Sequence, residues 1–76
     1  MKDITRAALD RYAKDGIETG SFLRAVLEND LFQAVHRADS DNLRDIQQIT
    51  EYVNWELPAG CWGSKEKVQA WLKGAR

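Results

Sequence analysis

The stretch from Ser21 to Ala38 constrains this chain most. Leu23, Val26, Leu27, Leu31, Ala34, Val35 and Ala38 fall on one helical face, and Phe22, Ala25 and Phe32 widen it. The pattern predicts one long helix over 21–38, about 27 Å at 1.5 Å per residue. Ser21, following Gly20, is its expected N-cap. A helix this apolar must be covered on more than one side, by the rest of the chain or by a second subunit. Asn29-Asp30 interrupts the run and marks where it can kink.

Three further segments surround it. The first spans residues 3–15, with Ile4, Ala8 and Tyr12 on one face flanked by Leu9 and Ala13. Gly16 then stands where a C′ glycine belongs, and Ile17 is placed to pack back on Tyr12 in a Schellman ending. The next spans residues 41–56, with Leu43, Ile46, Ile49, Val53 and Leu57 stepping by three and four. Ser40 or Asp39 can cap it, and Pro58 stops it by driving Leu57 out of helical space. After the loop Pro58–Gly63, Ser64 caps a short helix to about Lys73 with Val68, Trp71 and Leu72 on its buried face. No stretch alternates as a strand does. The expected fold is all-α, a single domain over 1–76: a small bundle of three main helices plus a short C-terminal fourth.

A chain of 76 residues buries only about 60% of the surface it exposes when unfolded, so it needs good packing or a partner. A disulfide within the chain is excluded, because Cys61 is the only cysteine. One Cys and one His cannot complete a structural zinc site. A lone thiol suits a reducing compartment. No run approaches the ~20 apolar residues of a membrane span, and the first residues lack the apolar core of a signal peptide. A cytoplasmic location is expected.

Net charge is −1, which favours neither nucleic acid nor an anionic membrane. The charges are unevenly placed. Residues 39–57 carry five acids against Arg44, whereas residues 58–76 carry Lys65, Lys67, Lys73 and Arg76 against Glu66. Such segments can attract each other, within the chain or between subunits of a homo-oligomer.

Candidate chemistry is sparse. His36, with Asp39 three residues on, could form an oriented pair, but spacing supplies no nucleophile or metal; a helix-end histidine is the simpler reading. Cys61 reads as a packing thiol. Asp39, Asp41 and Asp45 miss the calcium-loop pattern, since Leu43 takes a ligand position, and capping explains them. No catalytic residue, metal or cofactor is therefore assigned. The free amides at Gly20-Ser21, with Arg24 or Arg37, could hold an anion, though Gly-Ser before a helix is also ordinary capping. Trp55, Trp62 and Trp71 are dense for so short a chain, and core packing is the simpler reading of them; Trp62, in a glycine-flanked loop, is the one that could instead stack a ligand or meet a partner. Asn29, at the break in the long stripe, completes the set of candidate contacts. Residues 39–57 sum to −4, so phosphate repulsion argues against reading them as a DNA-recognition helix.

The run Gly20–Asp39 (GSFLRAVLENDLFQAVHRAD), with Asn42, Glu51–Asn54 and the Pro58, Cys61–Ser64 segment, resembles small helical proteins encoded by phages and prophages. The resemblance covers nearly the whole chain. It implies origin on a mobile element and brings no assigned activity, so no residue's role is carried over. Small phage proteins without catalytic motifs often act by binding. The first expectation is therefore a non-enzymatic accessory protein that inhibits or modulates a host defence or regulatory macromolecule. The second is an oligomeric binder that sequesters an anionic nucleotide, using Gly20-Ser21, Arg24 or Arg37 for phosphate and Trp62 for the base. A helical transcription regulator is a third, and an enzyme built on His36 or Cys61 comes last.

Overall fold

A computed structural model describes all 76 residues. Helix α1 spans Asp3–Asp15, α2 Ser21–Leu27, α3 Leu31–Arg37, α4 Ser40–Arg44, α5 Ile46–Glu56 and α6 Lys65–Leu72, with one 3-10 turn at Ala59–Cys61. There is no strand, so the all-α expectation holds. Three main helices and a fourth is too coarse, because two of the expected helices are each split. No helix is long and apolar enough to cross a membrane.

The expected long helix is two seven-residue helices. Asn29 takes the left-handed conformation at φ 61°. The Asp30 amide then bonds to the Ala25 carbonyl and the Asn29 amide to Val26, both Schellman bonds. The Asp30 carboxylate accepts from the Gln33 amide and so caps α3. One dipeptide ends a helix and begins the next. Ser21 is not the N-cap: Gly20 occupies that position, and Ser21 is the first helical residue with no capping bond from its side chain.

The break decides the core. Phe22, Leu23, Ala25 and Leu27 are all buried, so α2 is covered on several sides as expected. Only Ala34 of α3 is buried, while Leu31, Phe32 and Val35 face solvent. Around α2 lie Leu9 and Tyr12 of α1, Ile49 and Val53 of α5, Leu57, Cys61, and Val68 and Trp71 of α6. Each large aliphatic side chain buried here contributes about 1.5–3 kcal/mol relative to exposure.

In α1 the buried face is Thr5, Leu9 and Tyr12, not the one led by Ile4, which is exposed. Thr5, Leu9 and Tyr12 are spaced four and three apart, so they share a face one residue round from Ile4. Gly16 does end α1 in the left-handed region, at φ 67°, but with a single bond to the Tyr12 carbonyl. No Schellman pair forms, and Ile17 is left exposed. The third segment breaks at Asp45, where ψ reaches 6°, and Leu43 is exposed on the separate α4. Asp39 caps α4 by accepting from the Asn42 amide. Leu57 is extended before Pro58, and Ser64 caps α6 by accepting from the Lys67 amide, both as expected.

Candidate functional site

Pro58, Gly63 and Ser64 fix the loop that carries Trp62. Pro58 starts the 3-10 turn, which closes with the Cys61 amide on the Pro58 carbonyl. Gly63, at φ 117°, turns the chain so that its amide donates to the Leu27 carbonyl at 2.7 Å. That bond seats Trp62 beside the C-terminal end of α2. The positive φ suits glycine, because an L side chain is strained there.

Trp62 is half-buried and forms one wall of an open groove of about 350 Å³. Val26 and Asn29 line it from the end of α2, and Thr50, Glu51, Asn54 and Trp55 from α5. The Trp55 side chain is 78% exposed. The Trp62 indole N–H is buried and has no acceptor among protein groups, which costs about 1–3 kcal/mol. Glu51 is the one formally charged residue of the groove, and no Lys or Arg pairs with it; it accepts only from the Gln47 amide group. A narrower continuation passes Asp30, Leu31, Ala34 and Ile46. Beyond it the outer face of α3 presents Leu31, Phe32, Val35 and His36.

The sequence-derived candidates separate into two groups. Asn29 and Trp62 meet in the groove. Gly20, Ser21 and Arg37 lie at the other end of α2, about 10 Å away along a seven-residue helix. There Arg37 donates to the Ser21 carbonyl at 3.3 Å. Arg24 is already paired, to Glu18 at 2.8 Å and Glu28 at 3.0 Å. The residues expected to hold a phosphate and the one expected to stack a base are therefore not brought into one pocket within a single chain.

Comparison with protein-family models, with curated proteins and with solved structures finds no match. The chain's own chemistry must carry the reading.

The reactive side chains are occupied structurally. Cys61 is fully buried, and burial pushes its thiol up to about 11. His36 Nδ1 donates to the Phe32 carbonyl at 2.6 Å, one turn back on its own helix. Asp39 caps α4 with one carboxylate oxygen, and no hydrogen bond or ion pair joins it to His36. Asp41 pairs with Lys2 and Arg44, and Asp45 with Arg44. Of those partners Arg44 is local and Lys2 comes from the start of the chain. None of the acids in 39–57 pairs with Lys65, Lys67, Lys73 or Arg76, so the expected attraction between the two segments forms no ion pair within the chain.

The sequence reading missed the role of α5. Trp55 lies two residues past Val53, about 200° round the helix and therefore opposite the buried side. That offset was visible in the sequence. Its closeness to Trp62 was not, because it depends on how the loop docks on α2.

Proposed function

We propose that the chain is a non-enzymatic binding protein that captures a segment of a partner protein in the Trp55–Trp62 groove. The observation that carries this reading is Trp55, an indole 78% exposed beside a second indole, a costly surface for a chain with no use for it. Exposed aromatics flanking a depression are the usual anchors of protein recognition. The charge of the groove supports a partner segment that carries apolar anchors and a basic residue, since Glu51 is free of cations and no Lys or Arg lines the wall. The resemblance to phage and prophage proteins supports placing that partner in host defence or regulatory machinery, which the binder would inhibit or modulate.

The test is a paired capture from host lysate with the wild-type chain, Trp55→Ala and Glu51→Lys, followed by identification of proteins and small molecules. A protein held by wild type and lost from both variants is the expected result. Identical captures by all three chains would overturn the reading.

A second reading has one observation behind it. Two indoles, the Asn29 and Asn54 amides and the Thr50 hydroxyl suit a planar heterocycle such as a nucleobase, and about 350 Å³ is within the range of ligand pockets. Its phosphate would meet Glu51 rather than a cation. A thermal shift with a nucleotide panel, abolished by Trp62→Ala, would favour this reading over the first.

A further inference from the structure

Glu51 and Trp55 stand four residues apart on α5, so a carboxylate and an indole lie side by side on one helix face, about 6 Å apart between Cβ atoms. Both line the groove, together with Trp62 of the loop. The Glu51 carboxylate accepts one hydrogen bond, from Gln47 to Oε1, and Oε2 is free. Where the groove narrows, its one charged lining residue is Asp30, whose Oδ1 accepts from the Gln33 amide and whose Oδ2 is free as well. The wide and narrow parts share Val26, Asn29 and Thr50, so they form one channel with two carboxylates and no Lys or Arg on its walls. The only cation over an aromatic ring within the chain is Arg6 on Tyr52, at 5.6 Å, and Tyr52 is not in the groove. Both groove indoles are left without a cation.

We propose that the occupant of this groove presents an arginine, whose guanidinium lies on the Trp55 indole and forks onto the Glu51 carboxylate. The inference rests on the groove reading above and names the residue that the partner segment inserts. An indole face carries negative potential and attracts a cation more strongly than the ring of tyrosine or phenylalanine does. The carboxylate one turn away adds a charge-assisted partner, and the four-residue spacing lets one planar group meet both. Arginine fits better than lysine. Its guanidinium is weakly hydrated, stacks flat on a ring and offers paired N–H donors to a carboxylate, whereas an ammonium is a hydrated point charge. A trimethylammonium is held by rings on several sides, and Trp55, 78% exposed, offers an open face instead. An acidic segment or a phosphate would meet Glu51 and Asp30 with no cation on the walls to offset them.

Nuclear magnetic resonance titration of the full chain with short peptides tests this through the indole N–H signals. The probes are acetylated, amidated pentapeptides with glycine at both ends, leucine in the second and fourth places, and arginine, citrulline, lysine, trimethyllysine or glutamate at the centre. The arginine peptide shifts the Trp55 and Trp62 signals. Citrulline keeps the shape without the charge, and its peptide binds about tenfold more weakly. Glu51→Gln weakens the arginine peptide about fivefold and leaves the citrulline peptide unchanged. Trp55→Leu, which keeps an apolar side chain and removes the ring, weakens the arginine peptide to a similar extent. Both positions are exposed, so the core is untouched, and circular dichroism checks that each variant is folded. Equal binding of the arginine and citrulline peptides would overturn the proposal, as would tighter binding of the lysine, trimethyllysine or glutamate peptide. So would an arginine peptide that leaves both indole signals unmoved at millimolar concentration, or adenosine monophosphate shifting them in its place. The groove reading is judged separately, by the lysate capture. A protein lost from Trp55→Ala and Glu51→Lys but not displaced by the arginine peptide would keep the groove and remove the arginine.

Discussion

Tyr12 joins three parts of the chain that are far apart in sequence. Its hydroxyl donates to the Cys61 carbonyl at 2.6 Å, and its own carbonyl accepts from the Gly16 amide and from Trp71 Nε1. Burial lifts the phenol far above its ordinary range, so it remains a donor at any pH at which the fold survives. Cys61 shares that environment. Its burial between Gly60 and Trp62 fits the packing role read from the sequence, whereas the Tyr12 contact, 49 residues away, left no local signal. With the thiol at about 11, about 0.1% is thiolate at pH 8, and none is accessible. Native protein treated with a thiol reagent at pH 8 should therefore label at least about 100-fold more slowly than protein unfolded in guanidinium. Equal rates would mean that Cys61 is outside the core.

Among the elements, the α2–α3 turn determines the most. Periodicity identified the apolar residues of 21–38 correctly and misjudged where they point, because 3.6-residue spacing continues across a break without recording it. Asn29 and Asp30 supplied the clue: asparagine tolerates the left-handed region, and aspartate caps helices. Asn29→Ala should destabilise the protein by about 1 kcal/mol, since alanine keeps the Cβ that is strained at φ 61° and loses the short polar side chain that lets asparagine tolerate that region. Asn29→Gly should be neutral or slightly stabilising. Urea unfolding followed by circular dichroism measures both. If the two substitutions behaved alike, φ at this position would not be what ends α2. The same logic explains Leu43 and Ile4. Each fits a helical stripe, and each is exposed because the helix carrying it is split or turned to a neighbouring face.

On the scale of the whole molecule, α4 is held to the start of α1 and to α5 by charge more than by apolar contact. No residue of α4 is buried. Lys2 pairs with Asp41 at 2.8 Å, and Arg44 reaches both Asp41 and Asp45. The Met1 amino group donates to Gln48 and lies near Asp45. Hydrogen bonding to Lys2 lowers the Asp41 carboxyl, and hydrogen bonding to Arg44 lowers that of Asp45. A carboxyl lowered in the folded state adds stability above its unfolded value of about 4, and that stability is lost as pH falls. The melting temperature should accordingly drop between pH 5 and pH 3. Asp41→Asn should shallow the drop, and high salt should reduce it, because these groups are exposed. A melting curve unchanged by the Asp41 substitution at both pH values would show that the network is energetically silent.

The sequence by itself determined that the chain is helical, that Ser64 caps the last helix, that Ser40 or Asp39 caps the segment before Pro58, that Pro58 ends a helix, and that the stripe beginning at Ser21 must be covered on more than one side. These follow from local rules of periodicity, capping and backbone restriction, which act within a turn or two. Only the tertiary structure decided which half of the long stripe is buried. A single left-handed residue redirects everything after it, so α2 became the centre of the core while α3 kept its apolar strip outside. It also decided that Trp62 shares a groove with Trp55 and Asn29 rather than with Arg24 or Arg37, because a loop's docking depends on contacts between residues far apart in the chain.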